Sequence, residues 1–184
     1  MDAQEEGKKV KIVVDSNAWN FLYASSIDLH DEKLGAFEFQ ITLEIKRELD
    51  QLDGREDKKG LYDYFLGQTE GMDPPLSYFG FADPDVPDDE QRNTGFGVGG
   101  LASIFDAQFM DANRHHVKSK KRKIYYVNEA DLLIAARAGN GTYILTEDNQ
   151  KPGPLQNLPN TIRVSQSNTL SLDEFKCHLE INTQ

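Results

Sequence analysis

Apolar positions recur along this chain in two rhythms. Val10-Lys11-Ile12-Val13-Val14 is a short β-branched run with the make-up of a buried strand, and it stops at Asp15-Ser16-Asn17. Asn17 to Ser26 then reads as a helix. Phe37-Glu38-Phe39-Gln40-Ile41 alternates like a half-buried strand and passes into a helix reaching about Leu52. Much later, Asn128 opens a helix over Glu129 to Ala138, which Gly139-Asn140-Gly141 stops. Thr142 to Thr146 is the next strand and Thr161 to Val164 another, followed by a short helix starting at Ser171 and carrying Leu172 and Phe175. Strands alternating with helices predict an α/β fold, a three-layer α/β/α arrangement around a central parallel sheet.

The middle breaks this rhythm. Between residues 54 and 123 stand Asp73-Pro74-Pro75, Asp83-Pro84-Asp85, Pro87-Asp88-Asp89 and Gly95-Phe96-Gly97-Val98-Gly99-Gly100. Helical stretches are expected only near Lys59 to Leu66 and Leu101 to His115. A long, acidic, Pro/Gly-rich connection of this kind reads as an insertion in a single domain of residues 1–184, partly helical and partly mobile.

The 184 residues, 38% of them hydrophobic, suffice for one sizeable core. There is no apolar run of membrane-spanning length, and the opening Met1-Asp2-Ala3-Gln4-Glu5-Glu6 is too acidic for a secretory signal. Cys177 is the only cysteine, which excludes an intrachain disulfide and fits a reducing, cytoplasmic setting. The net charge of -11 argues against a tight non-specific grip on nucleic acid.

Four carboxylates change this picture. Asp15 ends the first strand and Asp148 follows the strand that closes at Thr146, while Glu48 and Asp131 lie on the helices after Ile41 and Asn128. In a parallel sheet the C-terminal strand ends face one crevice, so acids planted there converge. Converging carboxylates repel unless a cation joins them, and hard oxygen ligands select Mg²⁺ or Mn²⁺. The pattern points to metal-dependent hydrolysis of phosphodiesters. Each acid also has a simpler use. Asp15 suits a helix N-cap, Asp131 a capping box with Asn128, and Asp148 a turn before Lys151-Pro152-Gly153.

The glutamate on the second helix has two candidates. Ile41, Ile45, Leu49 and Leu52 form one apolar stripe, with Glu48 about 60° from its centre and Glu44 about 100° away. Glu48 is therefore favoured as the ligand, and Glu44 is expected to be solvated.

In order and in their acids, Val13-Val14-Asp15-Ser16-Asn17, Ile45-Lys46-Arg47-Glu48-Leu49, Glu129-Ala130-Asp131-Leu132-Leu133, Leu145-Thr146-Glu147-Asp148 and Thr169-Leu170-Ser171-Leu172-Asp173-Glu174-Phe175 resemble the PIN-domain nuclease family. The resemblance covers residues 10–52 and 125–176 and leaves out the middle. It implies an endoribonuclease that cuts single-stranded RNA with Mg²⁺ or Mn²⁺ held by Asp15, Glu48, Asp131 and Asp148, with Asn17 and Thr146 as polar supports. It also leaves room for an antitoxin or other protein partner, and members of the family often pair as dimers.

Other readings compete. A non-catalytic PIN-like module would use the acidic middle as a protein-binding surface. A flap-type DNA nuclease needs more acids and a larger basic arch. A phospho-receiver needs an acidic pair near the first strand, and a haloacid-dehalogenase phosphatase needs Asp-x-Asp where this chain has Asp15-Ser16-Asn17. The one strongly basic run, Lys118, Lys120, Lys121, Arg122 and Lys123, is either a solvated face or a phosphate grip. Gly95 to Gly100 satisfies GxGxxG, but no strand precedes it, so it reads as a hinge. His115 and His116 are adjacent and so expected to point apart, in solvent. Trp19 is expected in the core.

Overall fold

A computed structural model describes residues 8–77, 102–116, 121–122, 125–126, 129–138, 141–147, 153–155 and 158–184. The β-branched run forms β1 (Val10–Val14), beside which lie β2 (Phe37–Gln40) and β5 (Tyr143–Thr146), with β6 (Thr161–Arg163) outermost. The sheet order is β2-β1-β5-β6 and all three pairings are parallel. This is the α/β fold with a parallel sheet that the alternating pattern predicts.

Ile12, Val13 and Val14 point alternately to opposite faces of the sheet, yet all three are fully buried. Both faces are therefore covered, as parallel sheets require. On the face of Ile12 and its register partner Phe39, the Phe39 ring stacks 6.5 Å from Phe175 of α6 (Leu172–Asn182). Phe175 in turn lies 5.9 Å from Phe21 of α1 (Ala18–Ala24). Trp19, fully buried as expected, meets Phe65 of α3 (Lys59–Thr69) edge-on at 4.9 Å. So α3, inside the span 54–123 expected as an insertion, contributes Leu61 and Phe65 to the main hydrophobic core. The chain then returns to the sheet, where Leu76 exchanges backbone hydrogen bonds with Ile41 and Leu43.

The capping chemistry explains where the helices begin. Thr42 accepts from the Ile45 amide and starts α2 (Leu43–Asp50), so Ile41 stays extended ahead of it. Ser171 and Glu174 form a reciprocal capping box on α6. Ser103 and Asp106 do the same for α4 (Ile104–Asn113), which packs on α5 (Glu129–Arg137). Gly141, at φ +73°, supplies the left-handed turn between α5 and β5, a conformation that costs glycine little.

Two details depart from expectation. Lys121–Arg122 (β3) pairs antiparallel with Tyr125–Tyr126 (β4), so part of the basic run is a two-residue β ribbon. His115 and His116 do not point apart, because a short 3-10 turn brings their ring centroids to 4.1 Å. Among the described residues, no helix is long and apolar enough to cross a membrane.

Candidate functional site

The site is built at the C-terminal ends of the two inner strands. The last pair of the β1–β5 ladder is Val14↔Leu145, after which the Asp15 amide donates to the Leu145 carbonyl at 2.9 Å. That bond carries Asp15 one step past the ladder while keeping its backbone fixed to β5. Its side chain turns inward and is only 2% exposed.

Both carboxylate oxygens of Asp15 are held. Oδ1 accepts from the Ser16 amide at 2.7 Å and Oδ2 from the Thr146 hydroxyl at 2.7 Å. Asn17 completes the arrangement, its Oδ1 accepting from the Glu147 amide at 2.8 Å and lying 3.2 Å from Thr146 Oγ1. Asp15 is therefore not a side-chain N-cap. Asn17 occupies the N-cap position of α1 and makes no side-chain cap bond. The simpler use of Asp15 gives way because its oxygens are committed to Ser16 and β5.

Burial pushes the Asp15 carboxyl up to about 7 from its ordinary 3.8. The hydrogen bonds from Thr146 and Ser16 pull it down, while Asp131 and Glu48 push it further up. Those two acids thus face Asp15 closely enough for their charges to be felt. Asp131 stands half-buried in the first turn of α5, and Glu48 is exposed on α2. The fourth acid, Asp148, lies outside the described residues, as do Asn128, the capping partner considered for Asp131, and Lys118, Lys120 and Lys123 of the basic run. The backbones of Lys121 and Arg122 are placed in β3, but their side chains are not described.

Glu44 overturns its expectation. It is 3% exposed, not solvated. The helical wheel sets its angle to the apolar stripe but not what covers that flank, and Arg137 near the end of α5 is among the charges that Glu44 feels. Burial raises its carboxyl, while hydrogen bonding from Thr42 and the positive charges of Arg137 and Arg47 lower it. Glu44 Oε2 is buried without a hydrogen-bond partner among the described residues. The sequence alone does not mark Glu44 for burial, because its angle to the stripe leaves its covering neighbours unstated.

Carboxylate oxygens such as those of Asp15, Glu48 and Asp131 are hard donors and fit Mg²⁺ or Mn²⁺ in chemistry. In spacing, no three His, Cys, Asp or Glu side chains among the described residues form a group that could hold a metal ion. The charges of Asp131 and Glu48 are felt at Asp15, but the described acids do not close into a ligand cluster. Compared with known proteins, the chain matches no family model, no curated protein and no solved structure.

Proposed function

We propose that this protein is a metal-dependent endoribonuclease of PIN-like, three-layer α/β/α architecture that hydrolyses phosphodiester bonds of single-stranded RNA. One observation carries the reading: a buried aspartate at the end of a central parallel strand is held by two hydrogen bonds and repelled by Asp131 and Glu48. A buried carboxylate that ionises reluctantly and faces two further acids is an arrangement that a cation stabilises.

Asp15, Glu48, Asp131 and Asp148 would hold Mg²⁺ or Mn²⁺. Such an ion, when bound, supplies positive charge for the scissile phosphate and an acidified water. Asp15 presents fixed oxygens, because Ser16 and Thr146 each hold one of them. Asn17 locks the end of β5 beside it through the Glu147 amide. Lys118, Lys120, Lys121, Arg122 and Lys123 would grip phosphates of the strand and so counter the overall charge of -11.

The second reading is a non-catalytic PIN-like module that binds protein partners. One assay separates the two: cleavage of single-stranded RNA with and without Mn²⁺ by the wild type and by Asp15→Asn. Mn²⁺-dependent cleavage that disappears in Asp15→Asn supports the nuclease. Absence of cleavage by the wild type, or cleavage unaffected by the substitution, overturns it.

A further inference from the structure

Glu147 follows Thr146 and precedes Asp148 in sequence, both used in the reading above, yet its own bonds lead elsewhere. Its amide donates to Asn17 Oδ1 at 2.8 Å, and its Oε1 accepts from the amide of Gln166. Gln166 belongs to the turn that follows β6, beyond Val164, whose amide donates to the Thr146 carbonyl at 3.0 Å. The turn is bonded within itself, from the Asn168 amide to the Ser165 carbonyl at 2.9 Å and between the Ser165 and Ser167 hydroxyls at 2.9 Å. Its far end is tied to α1 by the Leu170 amide, 3.3 Å from Ser25 Oγ.

A continuous chain of hydrogen bonds therefore crosses three strand ends, from Asp15 through Thr146 and Asn17 to Glu147 and Gln166. Glu147 links β5 to the turn after β6. A carboxylate that accepts a backbone N–H makes a charge-assisted bond, stronger than a neutral one. The side chain is half-buried, so a change there leaves the core intact. Of the neighbouring acids Glu147 and Asp148, the first is thereby committed to the scaffold.

We propose that Glu147 is a positioning residue, clamping the Ser165–Asn168 turn against the end of β5 so that the turn forms a fixed wall across β5 from Asp15. Its meaning for catalysis rests on the nuclease reading; the clamp itself does not.

The test compares wild type, Glu147→Gln, which keeps a carbonyl acceptor, and Glu147→Ala, which removes it. Amide exchange of Gln166 is followed by NMR, and Mn²⁺-dependent cleavage of single-stranded RNA is followed by kcat and KM. In Glu147→Ala the Gln166 amide is expected to exchange about tenfold faster, with kcat down about tenfold and KM within about twofold. Glu147→Gln should restore most of both. Unchanged Gln166 exchange in Glu147→Ala overturns the clamp. Faster exchange with unchanged kcat overturns the positioning role and leaves a structural tie. Loss of kcat in Glu147→Gln with Gln166 still protected also overturns it, since the charge itself would then be needed. A wild type that cuts no RNA but shows the expected exchange pattern removes the nuclease reading and the catalytic role together, and leaves the clamp standing.

Discussion

Thr146 Oγ1 lies 2.7 Å from Asp15 Oδ2, a bond between residues 131 positions apart that joins the ends of the two inner strands. The hydroxyl is fully buried, so no water can replace it. Thr146→Val keeps the shape and removes the donor, leaving a buried carboxylate oxygen unsatisfied. The expected cost is about 1–3 kcal/mol of stability, read by chemical denaturation. Thr146→Ser should recover most of it. Equal stability of the Val and wild-type proteins would show that the bond contributes nothing.

The raised carboxyl of Asp15 fixes the sign of a pH effect. A group that binds its proton more tightly folded than unfolded stabilises the fold while protonated, below about 4, and loses that contribution progressively as pH rises through about 7. In metal-free protein this group should make stability fall over that range and then level off. Mn²⁺ must displace the proton, so its affinity should rise with pH up to about 7 and flatten above it. Denaturation curves and Mn²⁺ titrations from pH 5 to pH 9, fixed as experimental conditions at about these limits, check both slopes. An Asp15→Asn protein should lack both.

Glu44 and Glu48 are one turn apart and should fail in opposite ways. Glu44→Ala removes a buried side chain and should cost about 1–3 kcal/mol without changing Mn²⁺ affinity. Glu48→Ala, at an exposed position, should change stability by less than about 0.5 kcal/mol. It should weaken Mn²⁺ binding about tenfold, because it removes an acid that faces Asp15. Denaturation and Mn²⁺ titration of both variants decide the matter, and parallel behaviour in the two measurements would refute the division.

Phe65 tests whether α3 belongs to the core. It is 1% exposed and edge-on to Trp19, so Phe65→Ala should cost about 3–5 kcal/mol. A loss below about 1 kcal/mol would mean that α3 is a dispensable appendage.

What the sequence made legible follows from how local each cause is. The run Val10 to Val14 declares itself, because a strand buried on both faces needs apolar residues in sequence. Thr146 and Asn17 were legible as polar neighbours of strand-end acids. Their bonds to Asp15 and to the Glu147 amide required the parallel register of β1 on β5. The burial of Glu44 was not legible, since a helical wheel fixes an angle and not what packs against it. Neither was the β3–β4 ribbon, whose two-residue strands carry no readable alternation. The close, tilted rings of His115 and His116 escaped because a 3-10 turn, not an α-helix, carries them.

The placement of β1 and β5 at the centre of the sheet has a thermal consequence. Fraying begins at the outer strands β2 and β6, whereas Asp15 and Thr146 hang from the two strands flanked on both sides. Their relationship would survive until the sheet as a whole gives way. Heating should therefore not part Asp15 from Thr146 while the inner sheet stands. The turn beyond β6 lets go before that pair does, so the loss of the Asp15–Thr146 bond counts unfolded molecules and does not report damage at the edge of the sheet.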